Sequence, residues 1–117
     1  MPTIRDLVAA IRQRDGVDAA VVLGRDGLLI DSQAVPYLSS DDVAAHVPAI
    51  IGAADEFGEA AGRGPLTTAV LEHPKGLAIV AVLTADAVLL VLLQPTANVG
   101  QLLFELRRNR DHIASLV

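Results

Sequence analysis

The stretch VVLGRDGLLIDS, residues 21–32, decides how the chain begins to fold. Two apolar runs flank Arg25, Asp26 and Gly27, and an Asp-Gly pair between apolar runs is a strong signal for a tight hairpin turn. A dinucleotide-binding loop would need a strand, a G-x-G-x-x-G loop and then a helix. That spacing is absent, and the loop leads into the apolar residues 28–30. The sequence therefore predicts two paired strands, with Gly27 supplying a positive φ at the turn.

Composition narrows the class of protein. The chain has 117 residues, of which 52% are apolar and 20% charged, and this predicts a single folded domain over residues 1–117. The net charge of −5 argues against nucleic acid as a partner, because phosphate backbones attract basic surfaces. No cysteine is present, so neither disulfides nor thiolate metal sites are expected, and a reducing cytoplasmic location is predicted.

No membrane insertion is expected. Residues 1–16 mix charged with apolar side chains and lack the apolar core of a secretory signal. The most apolar run, residues 76–93, contains Thr-Ala-Asp at 84–86, and an aspartate at the centre of a bilayer costs about 3 kcal/mol. Two strands joined by a turn are the better interpretation of this run.

Two helices are predicted before the second half of the chain. Apolar residues at helical spacing in residues 4–11, with Thr3 as N-cap, indicate a short amphipathic helix. A second, long helix follows the Ser39 cap and runs from about residue 41 to 63. Pro48 lies inside it, so either the helix is kinked there or a short turn precedes a helix starting near Pro48. The apolar stripe predicted to face the core comprises Val43, Val47, Ile50, Ile51, Ala54, Phe57 and Ala61.

A second face of the long helix is marked by small residues. Its members share one arc of the helix: Ala45, Ala49, Gly52, Ala53 and Ala60. One interpretation is an alanine-rich surface open to solvent. The other is a helix–helix contact with a second copy of the chain, because glycine on a helix costs roughly 1 kcal/mol against alanine and is seldom needed on a solvated face.

Three strands and a last helix complete the predicted order. Residues 66–72 include Thr67 and Thr68 and are half apolar, which suits an edge strand where the sheet can continue into another subunit. Residues 77–83 and 87–93 are almost wholly apolar, so helices must cover both faces of the sheet. A helix from about residue 97 almost to 117 ends the order α-β-β-α-β-β-β-α, with antiparallel pairing throughout the three-strand meander.

No catalytic residue, cofactor site or metal site is predicted. The three histidines, His46, His73 and His112, lie on different elements without metal-ligand spacing, and each is interpreted as a surface residue. The acids at 41–42 suit a helix N-terminus, and the basic run 107–110 suits a helix C-terminus better than an arginine finger. No phosphate-binding G-x-x-x-x-G-K-[ST] motif occurs, so the chain is not itself a GTPase.

The whole pattern resembles the Roadblock family, in particular its bacterial MglB-type branch. The resemblance is carried by GVDAAVVLGRDGLLIDS (16–32), by the helix DDVAAHVPAIIGAADEFGEAAGRG (41–64) and by ANVGQLLFELRR (97–108). It implies an α+β, profilin- or longin-like fold of three layers, α/β/α, around a five-stranded antiparallel sheet. It also implies a homodimer, joined by edge-strand pairing and by the long helices, that partners a Ras-like small GTPase.

Two functions of different class follow from this resemblance. The first is a homodimeric, non-enzymatic regulator that modulates the nucleotide state of a small GTPase. The second is a passive scaffold subunit of a larger complex. A small-molecule sensor is a weaker third, since no polar cluster marks a pocket. For the first function, Asp55, Glu56, Glu59 and Arg63 are the predicted GTPase-binding residues, although ordinary solubilising acids explain the same pattern.

Overall fold

The computed structural model describes residues 2–117, which contain four helices and five strands. In chain order they are α1 (Ile4–Arg12), β1 (Val17–Gly24), β2 (Leu29–Ala34), α2 (Ser40–Ala60), β3 (Thr68–His73), β4 (Gly76–Val82), β5 (Ala87–Leu93), α3 (Val99–Arg108) and α4 (Arg110–Ala114). The predicted order is confirmed, except that the last helix is divided in two.

The five strands form one antiparallel sheet in the order β2-β1-β5-β4-β3. The two edges are therefore β2 and β3, and the prediction that the threonine-containing strand lies at an edge is confirmed. Thr68 is the first residue of β3, and Thr67 immediately precedes it. Each fully apolar strand, β4 and β5, has neighbours on both sides, as its composition predicts.

Gly27, which lies between the two apolar runs of the first hairpin, is a turn residue. Gly27 has a φ of +90°, which an L side chain rarely adopts, and Gly27 N–H donates to the Gly24 carbonyl at 2.9 Å. The long helix supplies a second reason for glycine here. A Cβ on Gly27 would lie 3.1 Å from Cγ of Pro48 and 3.5 Å from the carbonyl oxygen of Ala44. The hairpin tip therefore packs against the turn of α2 that contains the proline.

Alternate residues of the central strands enter two separate cores. On one face, side chains such as Ala20 and Val22 pack with α1, α3 and α4. On the other face, Ala19, Val21 and Leu23 pack with Ala44, Val47 and Ile51 of α2. Both faces are covered by helices, which gives the predicted α/β/α layering.

Pro48 lies inside one uninterrupted helix. Ser39 caps that helix, its hydroxyl accepting from the N–H of Asp42 at 3.3 Å, and the helix continues through Pro48 to Ala60. The alternative in which a short turn precedes a helix starting near Pro48 is therefore wrong. The missing proline N–H leaves the carbonyl of Ala44 without its usual helical donor, on the side where Gly27 packs.

The predicted core stripe of α2 is wrong at its C-terminal end. Val47 and Ile51 are buried, but Phe57 is 73% exposed and Ala61 is exposed as well. The cause is the loop after the helix, which folds back beneath it. The N–H groups of residues 63 and 64 donate to the carbonyl of Gly58, and a Cβ on Gly58 would overlap the carbonyl of Gly64. In the last turn of α2 the residue that faces the core is therefore Gly58, and the neighbouring Phe57 projects into solvent.

The last helix breaks at Asn109, where the sequence predicts continuity. Both the backbone and the side-chain amide of Asn109 donate to the carbonyl of Glu105, which ends α3. The short α4 then turns so that the guanidinium of Arg110 donates to the carbonyls of Val82 and Thr67. The ends of β3 and β4 are thereby tied to the last helix.

Candidate interaction surface

The small residues of α2 lie together on the open side of the helix. Every member of the set predicted to form a helix–helix contact is exposed: Ala45, Ala49, Gly52, Ala53 and Ala60. The inward side of the same helix carries the buried residues Ala44, Val47 and Ile51. The structure thus brings the five small residues onto one exposed surface.

Two glycines of this helix differ in what surrounds them. Gly58 is buried, and its own chain explains the glycine, because the returning loop occupies the space of a Cβ. At Gly52 a Cβ would meet nothing within 4 Å. A glycine within a helix costs roughly 1 kcal/mol relative to alanine. No contact within residues 2–117 explains that cost at Gly52, so the position is free to accept a second molecule at close range.

An apolar groove of about 550 Å³ runs beside α2 on the α2 face of the sheet. One wall is the N-terminal half of α2, through Val43, His46 and Ile50. The opposite wall is formed by Leu71 and His73 of β3. Its floor is the inner face of β4 and β5, and its rim carries Tyr37, Asp18, Asp42 and Lys75. A single helix does not cover the β3 side of this face.

The β3 edge lies next to this groove. Thr68 is half-buried and Val70 is 41% exposed. Thr67 is exposed, but its carbonyl accepts from the N–H of Val82 at 2.9 Å and from Arg110 at 3.3 Å. In the part of the chain that the structure describes, β3 pairs with β4 alone. Its outer side is open to another strand.

The four residues predicted to bind a GTPase have different environments. Glu56, Glu59 and Arg63 are exposed around the C-terminal end of α2. Asp55 is half-buried, forms an ion pair with Arg25, and accepts from the N–H of Leu66 at 2.7 Å. Its carboxylate therefore links the first hairpin, α2 and the loop before β3, and the structure does not group it with the free acids.

The other polar candidates are dispersed. His46, His73 and His112 are exposed on three different elements, as predicted. No group of three histidine, aspartate or glutamate side chains able to hold a metal ion occurs within residues 2–117. Of the basic run, Arg107 and Arg108 are exposed in the last turn of α3, whereas Arg110 is hydrogen-bonded to the sheet.

Across residues 2–117, none of the helices combines the length and the apolar character that crossing a membrane requires.

The sequence pattern that defines the Roadblock/LC7 domain matches residues 3–93, from the cap of α1 to the end of β5. The chain belongs to the Roadblock/LC7 family. The match stops before α3, so the last two helices of this Roadblock chain lie outside the shared pattern. Of the three stretches that carry the resemblance, the hairpin 16–32 and the helix 41–64 lie inside the match, and residues 97–108 lie outside it.

Solved structures confirm the Roadblock fold over nearly the whole chain. Myxococcus xanthus MglB superposes with a TM-score of 0.84 at 13% identity, covering 98% of this chain and 97% of that one. A Roadblock/LC7 domain from Streptomyces avermitilis gives a TM-score of 0.83 at 22% identity, with coverage of 96% and 95%. The uncharacterized protein MJ0714 of Methanocaldococcus jannaschii is 28% identical over 106 residues, which are 91% of this chain and 89% of that protein.

One residue of this surface was misassigned from the sequence. Phe57 was predicted to be core, yet it projects beside the small-residue face and is the exposed large apolar side chain of α2. A signal for this was present in the sequence. Gly58 follows it directly, and Gly62 and Gly64 come shortly after, which indicates a tight return of the chain at this point.

Proposed function

We propose that the chain is a homodimeric, non-enzymatic cytoplasmic regulator that binds a Ras-like small GTPase and modulates its hydrolysis of GTP or its nucleotide state. Membership of the Roadblock/LC7 family supports a regulatory or adaptor role. The resemblance to the MglB-type branch, whose fold this chain shares, favours a GTPase as the partner.

The observation that carries the homodimer is the incompletely covered α2 face. On this face the β3 edge of the sheet is open, Phe57 is exposed, and Gly52 lies in a helix without an intrachain neighbour that explains a glycine. A copy of the chain related by a two-fold axis presents the same surface and can cover it symmetrically. The dimer interface then includes Thr68 on β3 and the small residues around Ala49 and Gly52.

The docking surface for the GTPase follows from that dimer. Two α2 helices side by side form one continuous surface on which Glu56, Glu59 and Arg63 are presented twice. Exposed acids of this kind speed encounter with a basic patch and lose influence as salt rises. One GTPase per dimer is expected if it sits across the axis, because a GTPase lacks the two-fold symmetry of that surface.

The dimer is tested by Gly52→Glu and Ala49→Glu. Each places a charge in the proposed contact, where an unpaired buried charge is costly. We expect both variants to sediment as monomers with unchanged circular dichroism. Wild-type protein that stays a 12.2 kDa monomer at tens of micromolar would contradict the proposal.

The GTPase is tested by affinity capture from the native cell extract, followed by a search of the captured proteins for a G-x-x-x-x-G-K-[ST] motif. The recovered GTPase is then titrated, loaded with GTP or GDP, against wild type and the double variant Glu56→Lys with Glu59→Lys. We expect affinity to fall by about tenfold or more. Asp111→Lys, an exposed acid on α4, is the matched control.

Hydrolysis measurements separate the regulator from the scaffold. A regulator changes the rate of GTP hydrolysis or of nucleotide release when it binds. A dimer that binds the GTPase and leaves both rates unchanged is a passive scaffold, the second function predicted from the sequence. Absence of any GTPase among the captured proteins, with the dimer intact, would contradict the regulatory proposal as a whole.

A further inference from the structure

One side of α2 carries an apolar row whose two ends differ. Val43, Ile50 and Phe57 are spaced by seven residues, about two turns of helix, and so lie on the same side. Val43 and Ile50 are half-buried and form one wall of the groove, whereas Phe57 is 73% exposed. The N-terminal part of the row therefore lines the groove, and its C-terminal end is the exposed ring of Phe57.

This row faces the β3 edge. The wall of the groove opposite Val43 and Ile50 consists of Leu71 and His73 of β3. Any copy of the chain that extends the sheet at β3 approaches from this side. The projecting ring and the open cavity are thus both presented to the incoming copy.

Two-fold symmetry brings opposite ends of the row together. An axis that pairs β3 with its copy in antiparallel orientation also reverses the direction of α2. The C-terminal half of one helix then lies alongside the N-terminal half of the other. The projecting end of each row faces the cavity end of its counterpart, and each contact occurs twice.

One charge on the groove rim, Lys75, is complementary to the acids beside Phe57. Glu56 is exposed next to Phe57, and Glu59 follows one turn later. A copy crossing the β3 edge brings these acids toward His73 at the end of β3 and Lys75 in the turn that follows it. Asp18 and Asp42, also on the rim, belong to β1 and to the first turn of α2.

We propose that Phe57 of each copy seats in the groove of the other and is the main anchor of the homodimer. This inference rests on the proposed homodimer and assigns the residue that holds it together. Aromatic side chains inserted into apolar pockets are the usual hot spots of protein interfaces. Groove and ring would then be two halves of one site, incomplete in a single chain.

The first test compares the two phenylalanines of the chain. Phe57→Ala and Phe104→Ala remove the same side chain from exposed positions, Phe104 being 62% exposed on α3. We expect Phe57→Ala to raise the dissociation constant of the dimer about a hundredfold or more, because the contact is lost twice. Phe104→Ala should leave it within about twofold of wild type.

The second test locates the ring directly. A benzoylphenylalanine at position 57 is photo-activated in a mixture of ¹⁴N- and ¹⁵N-labelled protein, and mixed-isotope cross-links are mapped by mass spectrometry. We expect them in residues 37–50 or 71–78 of the other copy. Mixed-isotope cross-links confined to other segments would overturn the proposal.

The outcomes distinguish this inference from the proposed function. A wild-type protein that is monomeric throughout would overturn the homodimer and the anchor together. A stable dimer that tolerates Phe57→Ala as well as Phe104→Ala would overturn the anchor alone and leave the homodimer standing.

Discussion

The two faces of the sheet are covered to different degrees. Three helices, α1, α3 and α4, cover one face, and α2 alone covers the other. Each face exposes one phenylalanine, but Phe104 lies on the face that three helices cover, whereas Phe57 lies on α2, the single helix that also forms one wall of the open groove. A single exposed apolar residue is common on protein surfaces and does not by itself indicate a binding site. On a face whose core is incompletely covered, it indicates a surface that another molecule can cover.

The α2 face depends most on the position where the chain returns beneath the helix. Gly58→Ala places a methyl group against the carbonyl of Gly64 and forces the loop away from the helix. We expect the free energy of unfolding to fall by about 3 kcal/mol. Urea denaturation followed by circular dichroism measures the loss. A cost below about 1 kcal/mol would show that the loop yields easily and that α2 is not held there.

On the face that three helices cover, we expect a change at Arg110 to lower the free energy of unfolding as well. Arg110→Met keeps the aliphatic stem but removes the guanidinium that donates to the carbonyls of Thr67 and Val82. Hydrogen bonds to charged groups contribute more than neutral ones, so we expect a loss of about 2 kcal/mol. The matched control is Arg108→Met, an exposed arginine of α3. Equal stability of the two variants would show that Arg110 does not tie the face to the sheet.

A smaller effect is expected at Asp55, which links α2 to the first hairpin. Asp55→Ala removes a partly exposed ion pair with Arg25 and leaves the N–H of Leu66 without its acceptor. We expect a loss of about 1 kcal/mol in unfolding free energy. Its exposed neighbour provides the control, Glu56→Ala, with a change within about 0.5 kcal/mol. If Asp55→Ala and Glu56→Ala lowered the free energy of unfolding equally little, Asp55 would behave as a free acid like Glu56 and Glu59.

The elements of the fold could be predicted because their signals are local. The Asp-Gly turn, the caps at Thr3 and Ser39, and the alternation of apolar runs each act within a few residues. The same locality explains the predicted edge strand, whose half-polar composition differs from that of the two central apolar runs.

The sequence did not predict the features that distant residues decide. Phe57 is exposed because Gly64, seven residues further along, fills the space beneath Gly58. Asp55, whose part in binding a GTPase stays a prediction, is paired because Arg25, 30 residues away, reaches it across the fold. The break at Asn109 orients Arg110 toward Val82, 28 residues earlier in the chain. Helical periodicity carries no information about such contacts, so the interaction surface was predicted in outline and its most prominent side chain was missed.

The smallest expected effect is that of Gly52→Ala, which tests whether the small-residue face of α2 meets water or a second copy of the chain. Gly52→Ala adds a methyl group where nothing of the same chain lies within 4 Å. In the dissociated chain it should raise the free energy of unfolding by about 1 kcal/mol, since alanine is the better helix former. If the small-residue face is part of the homodimer contact, the same methyl group meets the second copy, so we expect the dimer to weaken while the monomer gains stability. Urea denaturation at low concentration and sedimentation at high concentration measure the two effects separately. Gly100→Ala, in the first turn of α3 and with only the Asn98 side chain nearby at 3.8 Å, is the control that should leave dimerisation unchanged. A Gly52→Ala protein that is stabilised and dimerises like wild type would show that this face meets only water, and the two faces of the sheet would then differ in coverage without differing in role.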